Sequence, residues 1–406
     1  MSSEGVFIVS GARTPFAEWV GGKNGVGKPG GAFKNISAIE LGAIALKEAV
    51  ARSGVSPADI GHVVFGNALQ TSPDAIYGAR HIALRAGIPI ETPALTVSRI
   101  CGTGIEATTT GAGLIRLGEA EIIAVGGAEN LSQAPYVVRD LRGGVKLKHL
   151  NFEDYFLSSL YDPLCGLMMA ETAENLARKY GISREEQDRF ALRSHMETLR
   201  AVKAGLFKEE IVATAVNRKS GTENLIGEDD HWVSNCSLEG LAKLKPYFSE
   251  DGFVTPGNAS GLADGACALI LASEKAVKTK KLVKLGRVVS WAAAGVAPNE
   301  MGMGPVPAIK KTLERAGKRL QEVDLFEINE AFAAQYLAVE KELGLERDRV
   351  NVNGGAIALG HPLSATGARL ILTLLLELRR RKKRWGIASA CIGGGQGNAV
   401  LVEALA

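Results

Sequence analysis

The chain has 406 residues, a length that suggests two or three domains. Lys plus Arg is 47 and Asp plus Glu is 44, and a balance of +3 excludes a protein built mainly to grip nucleic-acid phosphates. With 46% hydrophobic and 22% charged residues, whole-chain disorder and a pure coiled coil are excluded too. The 48 glycines have no three-residue period and point instead to tight turns and close backbone approaches. The five cysteines, 101, 165, 236, 267 and 391, form no C-x-x-C pair, so neither a zinc site nor a disulfide framework is expected. Reduced thiols in a cytoplasm are the expectation. The chain starts Met-Ser-Ser-Glu-Gly and runs straight into Val6-Phe7-Ile8-Val9, so no secretory signal is expected. No window reaches ~18 uninterrupted apolar residues, so no membrane span is expected either.

In chain order, Val6–Ser10 reads as a buried strand ending at Gly11. Ala38–Ser53 reads as a helix stopped by Gly54, with Ile39, Ala43, Leu46 and Val50 at helical spacing. His62–Gly66 and Glu121–Gly126 read as strands, and the alternation argues an α/β fold. Pro93–Ile100 reads as extended and Ile105–Leu117 as helical. Ala45–Gly54 aligns with Ala308–Gly317, four of ten residues being identical. A strand follows each copy, Ile60–Gly66 and Val323–Ile328, so duplicated halves are expected. Between them, Ser132–Asp251 is more polar, with long charged helices such as Ser183–Lys203 and few strand signals, and reads as an inserted domain.

Two phosphate-loop look-alikes fail. Gly22-x4-Gly27-Lys28 continues into Pro29 where a Walker loop needs Ser or Thr, and Gly25-x-Gly27-x-x-Gly30 has no strand leading into it. Cys101-Gly102-Thr103-Gly104 is more informative. A thiol between an extended segment and a helix sits at a helix N-terminus, whose dipole favours a thiolate. A nucleophile, a dinucleotide turn (Gly102-x-Gly104-x-x-Ala107) and a plain structural turn all remain open there. Near the C-terminus His361 lies between Gly360 and Pro362, and Cys391 precedes Gly393-Gly394-Gly395, whose bare amides suit an oxyanion. Two turn cysteines and one glycine-flanked histidine make a Cys/His catalytic set credible. The basic run Arg379–Arg384 reads as a solvated helix end.

Taken together these motifs resemble the thiolase family over essentially the whole chain. The resemblance rests on Gly11-Ala-Arg13-Thr14-Pro15-Phe16, Cys101-Gly-Thr-Gly, Ser132-Gln-Ala-Pro-Tyr136 and Thr172-Ala-Glu-Asn175. It continues through Gly257-Asn-Ala-Ser260, Asn329-Glu-Ala-Phe332, Gly360-His-Pro362 and Cys391-Ile-Gly-Gly-Gly395. Ser72–Tyr77 and Ala331–Ala338 look most like the acetyl-CoA acyltransferases of mitochondrial type and their bacterial relatives. The resemblance implies duplicated βαβαβαββ halves in a five-layered αβαβα core. It implies a first half at 1–131 plus 252–276, a coenzyme A-binding loop domain at 132–251 and a second half at 277–406.

The implied activity is reversible thioester Claisen chemistry: 3-ketoacyl-CoA plus CoA gives acyl-CoA plus acetyl-CoA. Cys101 would carry the acyl group, His361 would take its proton, and Cys391 would be the acid/base at the acetyl carbon. Asn329 would hold a water that completes one oxyanion hole with His361, and the amides of Cys101 and Gly393 would form the other. Ser260 would meet the pantetheine arm, and Met169 and Met301 would line the thioester pocket, unless both methionines are core filler. No metal or cofactor is implied, coenzyme A being a substrate. The partners implied are acyl-CoA, acetyl-CoA and CoA, with no nucleic acid, in a homotetramer. The compartment implied is the cytoplasm, or the mitochondrial matrix in a eukaryote. Other readings are a dedicated acetoacetyl-CoA-forming enzyme and a non-catalytic acyl-CoA-binding protein; a ketoacyl synthase would place a second His where Cys391 stands. The chain departs from the family with Ser364 for Gly, Thr366 for Ser, and Val233 near the position of an Arg that meets the CoA nucleotide. Met168 replaces a His found in enzymes specialised for acetoacetyl-CoA.

Overall fold

The structure, a computed structural model, describes residues 5–22, 30–147, 149–216 and 224–405. Lys23–Pro29, where both phosphate-loop look-alikes mainly fall, lie outside the described residues. The first half runs β1 (Val6–Arg13), α1 (Ala38–Ser53), β2 (His62–Gly66), α2 (Gly78–Arg85), β3 (Ala94–Val97), α3 (Thr103–Arg116) and β4 (Ile122–Glu129). An inserted stretch follows, with α4 (Met169–Tyr180), α5 (Arg184–Lys203) and three two-stranded hairpins. The chain then returns as β5 (Ala263–Ser273). The second half runs β6 (Gly286–Gly295), α6 (Pro305–Ala316), β7 (Leu325–Ile328), α7 (Ala333–Leu343), α8 (Leu363–Arg380), β8 (Trp385–Ile392) and β9 (Gln396–Ala404).

The strands hydrogen-bond in the order β7-β8-β9-β6-β1-β5-β4-β2-β3, and two-residue Ala17–Glu18 pairs with β5. The halves join at the centre, where β1 pairs antiparallel with β6 through Val6↔Val288, Phe7↔Arg287 and Ile8↔Gly286. The duplication read from the sequence is present. Both α1 and α6 end on a left-handed glycine, Gly54 at φ 74° and Gly317 at φ 61°, a conformation glycine adopts without a Cβ penalty. Gly317 lies 263 residues after Gly54 (317 − 54), and Trp385 of β8 lies 263 after Ile122 of β4 (385 − 122).

Side chains alternate across each strand, and here both faces are buried. From β1, Phe7 and Val9 join a core with α1 and α2, while Val6 and Ile8 join a second core with α3 and α8. From β9, Val400 and Val402 enter that same second core, while Ala399 and Leu401 enter a third core with α6 and α7. The layers are therefore α1/α2, strands, α3/α8, strands, α6/α7. Three strand ends differ from expectation. β1 continues past Gly11 to Arg13, and β4 continues past Gly126 to Glu129. In each case the glycine admits a neighbour rather than ending the strand: a Cβ at Gly11 would lie 2.7 Å from Leu269, and one at Gly126 2.2 Å from the Cys267 carbonyl. Pro93–Ile100 is strand only at Ala94–Val97.

The inserted stretch is fastened to both halves. Phe190 of α5 stacks on Tyr336 of α7 with ring centroids 4.2 Å apart. Arg13, fully buried at the end of β1, forms a bidentate pair with Asp229 at 2.6 and 2.8 Å and reaches Glu210 at 3.0 Å. Burial opposes its charge, but those two carboxylates outweigh burial and hold the guanidinium protonated. The basic run at the end of α8 is paired: Arg380 and Arg381 meet Glu377, and Arg384 meets Glu403 at 2.6 Å.

The two central helices touch through glycine. A Cβ at Gly104 of α3 would lie 2.3 Å from the Ala368 amide, and one at Gly367 of α8 2.4 Å from the Ile105 amide. Neither backbone can yield without moving a whole helix. Gly104→Ala or Gly367→Ala is expected to cost about 3 kcal/mol or more, in line with overpacked cores. Gly113→Ala, further along α3 with nothing within 4 Å, is expected to stabilise by about 0.5–1 kcal/mol. Denaturant melts of the three variants decide it, and equal behaviour at Gly104 and Gly113 would refute the contact.

Candidate active site

The N-termini of α3 and α8 open on one cavity of about 760 Å³. Cys101 enters it from the turn Ile100–Gly102 just before α3. Ile100 holds φ 45°, a left-handed conformation that costs a β-branched residue about 1–3 kcal/mol. The turn is clamped by Thr103, whose hydroxyl accepts from the Arg99 amide at 2.8 Å, and by Asn398, whose Nδ2 donates to the Gly102 carbonyl at 2.8 Å. The amides of Gly393 and of Cys101 itself both face the sulfur and favour its anion. Burial is the larger effect and pushes the thiol up to about 12, helped by the nearby carboxylate of Glu129.

His361 lies between the helical turn Ala356–Leu359 and α8, and its amide donates to the Gly261 carbonyl at 2.7 Å. Its Nδ1 is 2.7 Å from the Thr366 oxygen. That hydroxyl donates to the Pro362 carbonyl at 3.1 Å, so its oxygen accepts from Nδ1–H and the lone pair falls on Nε2. Asn329 Nδ2 donates to Nε2 at 3.3 Å. The Thr366 departure therefore keeps the hydroxyl the imidazole needs. Burial, and next the guanidinium of Arg369, lower the His361 pKa to about 3, so the ring is neutral and fit to accept a proton.

Cys391 lies in β8 with its side chain fully buried against Met301, Ala331 and Met169. Burial, and next the charge of a Cys101 thiolate, raise its pKa well above the ordinary thiol value, so it is a neutral acid. Cys101, Met169, Ser260, Met301, His361 and Gly393 line the cavity itself. Asn329 and Cys391 stand one layer back, Asn329 against His361 and Cys391 behind the two methionines. Asn329 Oδ1 has no partner among the described residues. Met168 lines the cavity, and Leu69, Leu131, Phe156, Leu160 and Leu363 form an apolar sleeve beside Cys101. Val233 is away from this lining; its amide donates to His195 Nδ1 at 3.2 Å, and it brings no cation to the loop.

Sequence reasoning missed Glu129. It ends a strand of otherwise apolar and small residues, which is the signal that marks it. Its carboxylate, fully buried, accepts from Asn67 Nδ2, from the amides of Ala68, Leu69 and Ser364, and from the Ser364 hydroxyl at 2.8 Å. Burial wins over these donors and pushes it up to about 7. Ser364, one of the departures, is thus a donor that glycine cannot supply.

A buried neutral imidazole and a thiol flanked by two amides, in an apolar cavity, define an enzyme that carries an acyl group on cysteine. Comparison with known proteins agrees. Residues 6–275 match the family described as "Thiolase, N-terminal domain" and residues 282–404 match "Thiolase, C-terminal domain". The human mitochondrial 3-ketoacyl-CoA thiolase is 48% identical over 403 residues, 99% of each chain. An acetyl-CoA acetyltransferase of Cupriavidus necator is 44% identical over 399 residues, 98% of this chain and 99% of that one. The crystal structure of the human mitochondrial 3-ketoacyl-CoA thiolase in complex with CoA superposes with a TM-score of 0.93, covering 99% and 98% of the two chains at 48% identity. The chain belongs to the thiolase family. It is an acyltransferase of thioester Claisen chemistry.

Two buried histidines set an acid limit on stability. His361 and His195 are both lowered to about 3 from 6.5, His195 by burial and then by His231. Above pH 6.5 they are neutral folded or unfolded and contribute nothing to the pH slope. As pH falls from 6.5 toward 3 the unfolded chain binds protons the folded one refuses, and stability is lost. Each histidine adds a slope of up to about 1.4 kcal/mol per pH unit in that window. His361→Asn is expected to flatten the acid limb by one such step in denaturant melts at pH 7, 6, 5 and 4. An unchanged slope would mean that His361 is charged in the fold.

Proposed function

We propose that this chain is a thiolase of broad chain length, cleaving 3-ketoacyl-CoA, acetoacetyl-CoA included, with a second CoA. The observation that carries the reading is one cavity lined both by Cys101, under two amides, and by a neutral His361 whose Nε2 carries the lone pair and accepts only from Asn329. On this reading Cys101 sulfur attacks the keto carbon as its proton passes to His361. The C2–C3 bond then breaks, the acyl group stays on Cys101, and the departing acetyl-CoA enolate takes the Cys391 proton at C2. An incoming CoA thiol returns a proton to Cys391 and collects the acyl group, while His361 returns its proton to Cys101. The amides of Cys101 and Gly393 would hold one oxyanion; His361 and a water on the unpartnered Asn329 Oδ1 would hold the other. Ser260, Met169 and Met301 would border the pantetheine and thioester. No step needs a metal or a redox cofactor.

The division into halves at 1–131 plus 252–276 and 277–406, with 132–251 as the CoA-binding domain, is part of this proposal. So is the homotetramer. β3 ends the strand order with one edge unpaired among the described residues, and Leu95 on it and nearby Ile90 are exposed, at 43% and 71%. Such an edge is a template for a second copy. Light scattering at the monomer mass with full activity would remove the assembly. The proposed compartment is the cytoplasm, supported by five free cysteines. None of the described helices is long and apolar enough to cross a membrane.

Mass spectrometry after incubation with acetyl-CoA tests the roles. Cys101→Ser is expected to show no acetyl adduct, since an alkoxide is far harder to form than a thiolate. Cys391→Ala is expected to show the adduct yet fail to condense. The opposite pattern would exchange the two roles.

Chain length follows from the sleeve. Met168 is a flexible apolar wall, and each methylene buried beside it adds up to about 0.8 kcal/mol. Thiolysis of the eight-carbon 3-ketoacyl-CoA is expected to match or exceed the four-carbon one in kcat/KM. A hundredfold preference for four carbons would make the enzyme a dedicated acetoacetyl-CoA former.

A further inference from the structure

One part of the cavity lining has no place in the mechanism. Glu18 and His231 both face the cavity, from stretches of chain more than 200 residues apart. His231 Nδ1 stands 3.5 Å from Glu18 Oε1. Glu18 is only 5% exposed, yet its Oε2 has no hydrogen-bond partner among the described residues, and neither has His231 Nδ1. Two glycines make room for the pair. A Cβ at Gly22 would lie 2.4 Å from Glu18 Oε1, and one at Gly261 would lie 2.3 Å from the His231 ring. The backbone is pinned as well: the Glu18 amide donates to Asp230 at 2.6 Å and the Trp19 amide to the Leu262 carbonyl at 3.0 Å. Next to Glu18, Trp19 packs on Phe156 with ring centroids 5.4 Å apart, in the apolar sleeve that contains Cys101.

A buried carboxylate oxygen without a donor is costly, and this one is held in place by its surroundings rather than turned away. No described residue donates to it, and a molecule in the cavity that Glu18 lines can. A second carboxylate would be repelled by Glu18 and by neighbouring Asp230. A plain alkyl chain would leave the oxygen unsatisfied. A hydroxyl donates one proton and satisfies it.

We propose that Glu18 and His231 form a polar subsite on the acyl side of the cavity, which selects 3-ketoacyl-CoA substrates carrying a hydroxyl group on the acyl chain. The hydroxyl donates to Glu18 Oε2, while His231 Nδ1 stands 3.5 Å from the carboxylate's other oxygen. The inference rests on the acyl-transfer reading above and refines its substrate class.

The test is thiolysis by the purified enzyme of matched 3-ketoacyl-CoA pairs, with and without a terminal hydroxyl, at six, eight and ten carbons. The wild type is expected to favour the hydroxylated member at one of these lengths by about tenfold in kcat/KM, the worth of a hydrogen bond to a charged acceptor. Glu18→Leu is expected to reverse that preference and leave the KM for CoA unchanged. If thermal melts show that Glu18→Leu does not fold, Glu18→Gln replaces it, keeping the shape without the charge, and the preference is expected to fall several-fold. An alkyl preference at every length in the wild type would overturn the proposal. So would an unchanged ratio in the variant, or a KM for CoA that rises alike for both members, which would put CoA itself against Glu18. A wild type inactive on every substrate would overturn the acyl-transfer reading, and the subsite with it; a wild type active on all pairs without preference would overturn the subsite alone.

Discussion

The contact on which the site depends is the crossing of α3 and α8 at Gly104 and Gly367. Helices with ordinary side chains pack 8–10 Å apart, and only glycine at the crossing lets two backbones meet more closely. Here each glycine faces the other helix's main chain. Because Cys101 lies three residues before Gly104, and His361 six before Gly367, that one crossing brings both residues to the same cavity. The same crossing points both helix N-termini at the cavity, and their unpaired amides and dipoles favour negative charge there. Gly127 extends the contact: a Cβ on it would lie 1.9 Å from the Ser364 carbonyl, so β4 is pressed against the start of α8 as well.

Burial then decides the resting charges. With Cys101 pushed up to about 12 and His361 down to about 3, the pair rests as thiol and neutral imidazole, not as an ion pair. A buried ion pair would carry a desolvation cost with no substrate to offset it. The resting state keeps the proton on sulfur; on the proposed reaction, charge would develop only as the keto carbon arrives and the amides of Cys101 and Gly393 would gain an oxyanion to hold. Arg369 contributes from below. It is fully buried, pairs with Glu327 at 2.7 Å, and its positive charge disfavours an imidazolium at His361. Glu327 is itself pushed up to about 8 by burial, against the pull of Arg369.

The parts of this that could be read from the sequence are those with a local period or a punctuating residue. α1 was legible to the residue because Gly54 and a helical apolar stripe mark it, and β2 because it is a short apolar run after a turn. The duplication was legible through Gly54 and Gly317. Strand ends were misjudged where glycine serves close packing, as at Gly11 and Gly126, since a close neighbour and a turn leave the same letter in the chain. In the site, Cys101, His361 and Cys391 were visible because glycines surround them. Glu129, Arg369 and the Glu18–His231 pair were not, because what makes each notable is burial against distant partners, from 42 positions between Arg369 and Glu327 to 235 between Glu129 and Ser364. No local pattern records that.

The two departures just after His361 then find a common explanation. Thr366 presents a hydroxyl to the imidazole, which keeps the proton on Nδ1 and the lone pair on Nε2. Ser364 adds a donor to Glu129, a carboxylate that burial drives toward protonation and whose charge opposes a thiolate at Cys101. A hydroxyl on that carboxylate stabilises its charged form, and that charge adds to burial in keeping Cys101 a thiol. Glycine at 364 would remove one donor and leave Asn67 Nδ2 and the amides of Ala68, Leu69 and residue 364, shifting Glu129 toward its neutral acid. Ser364 therefore bears on the resting proton of Cys101 through Glu129. Its effect is carried by the same close packing of β4 against α8 that the glycines make possible.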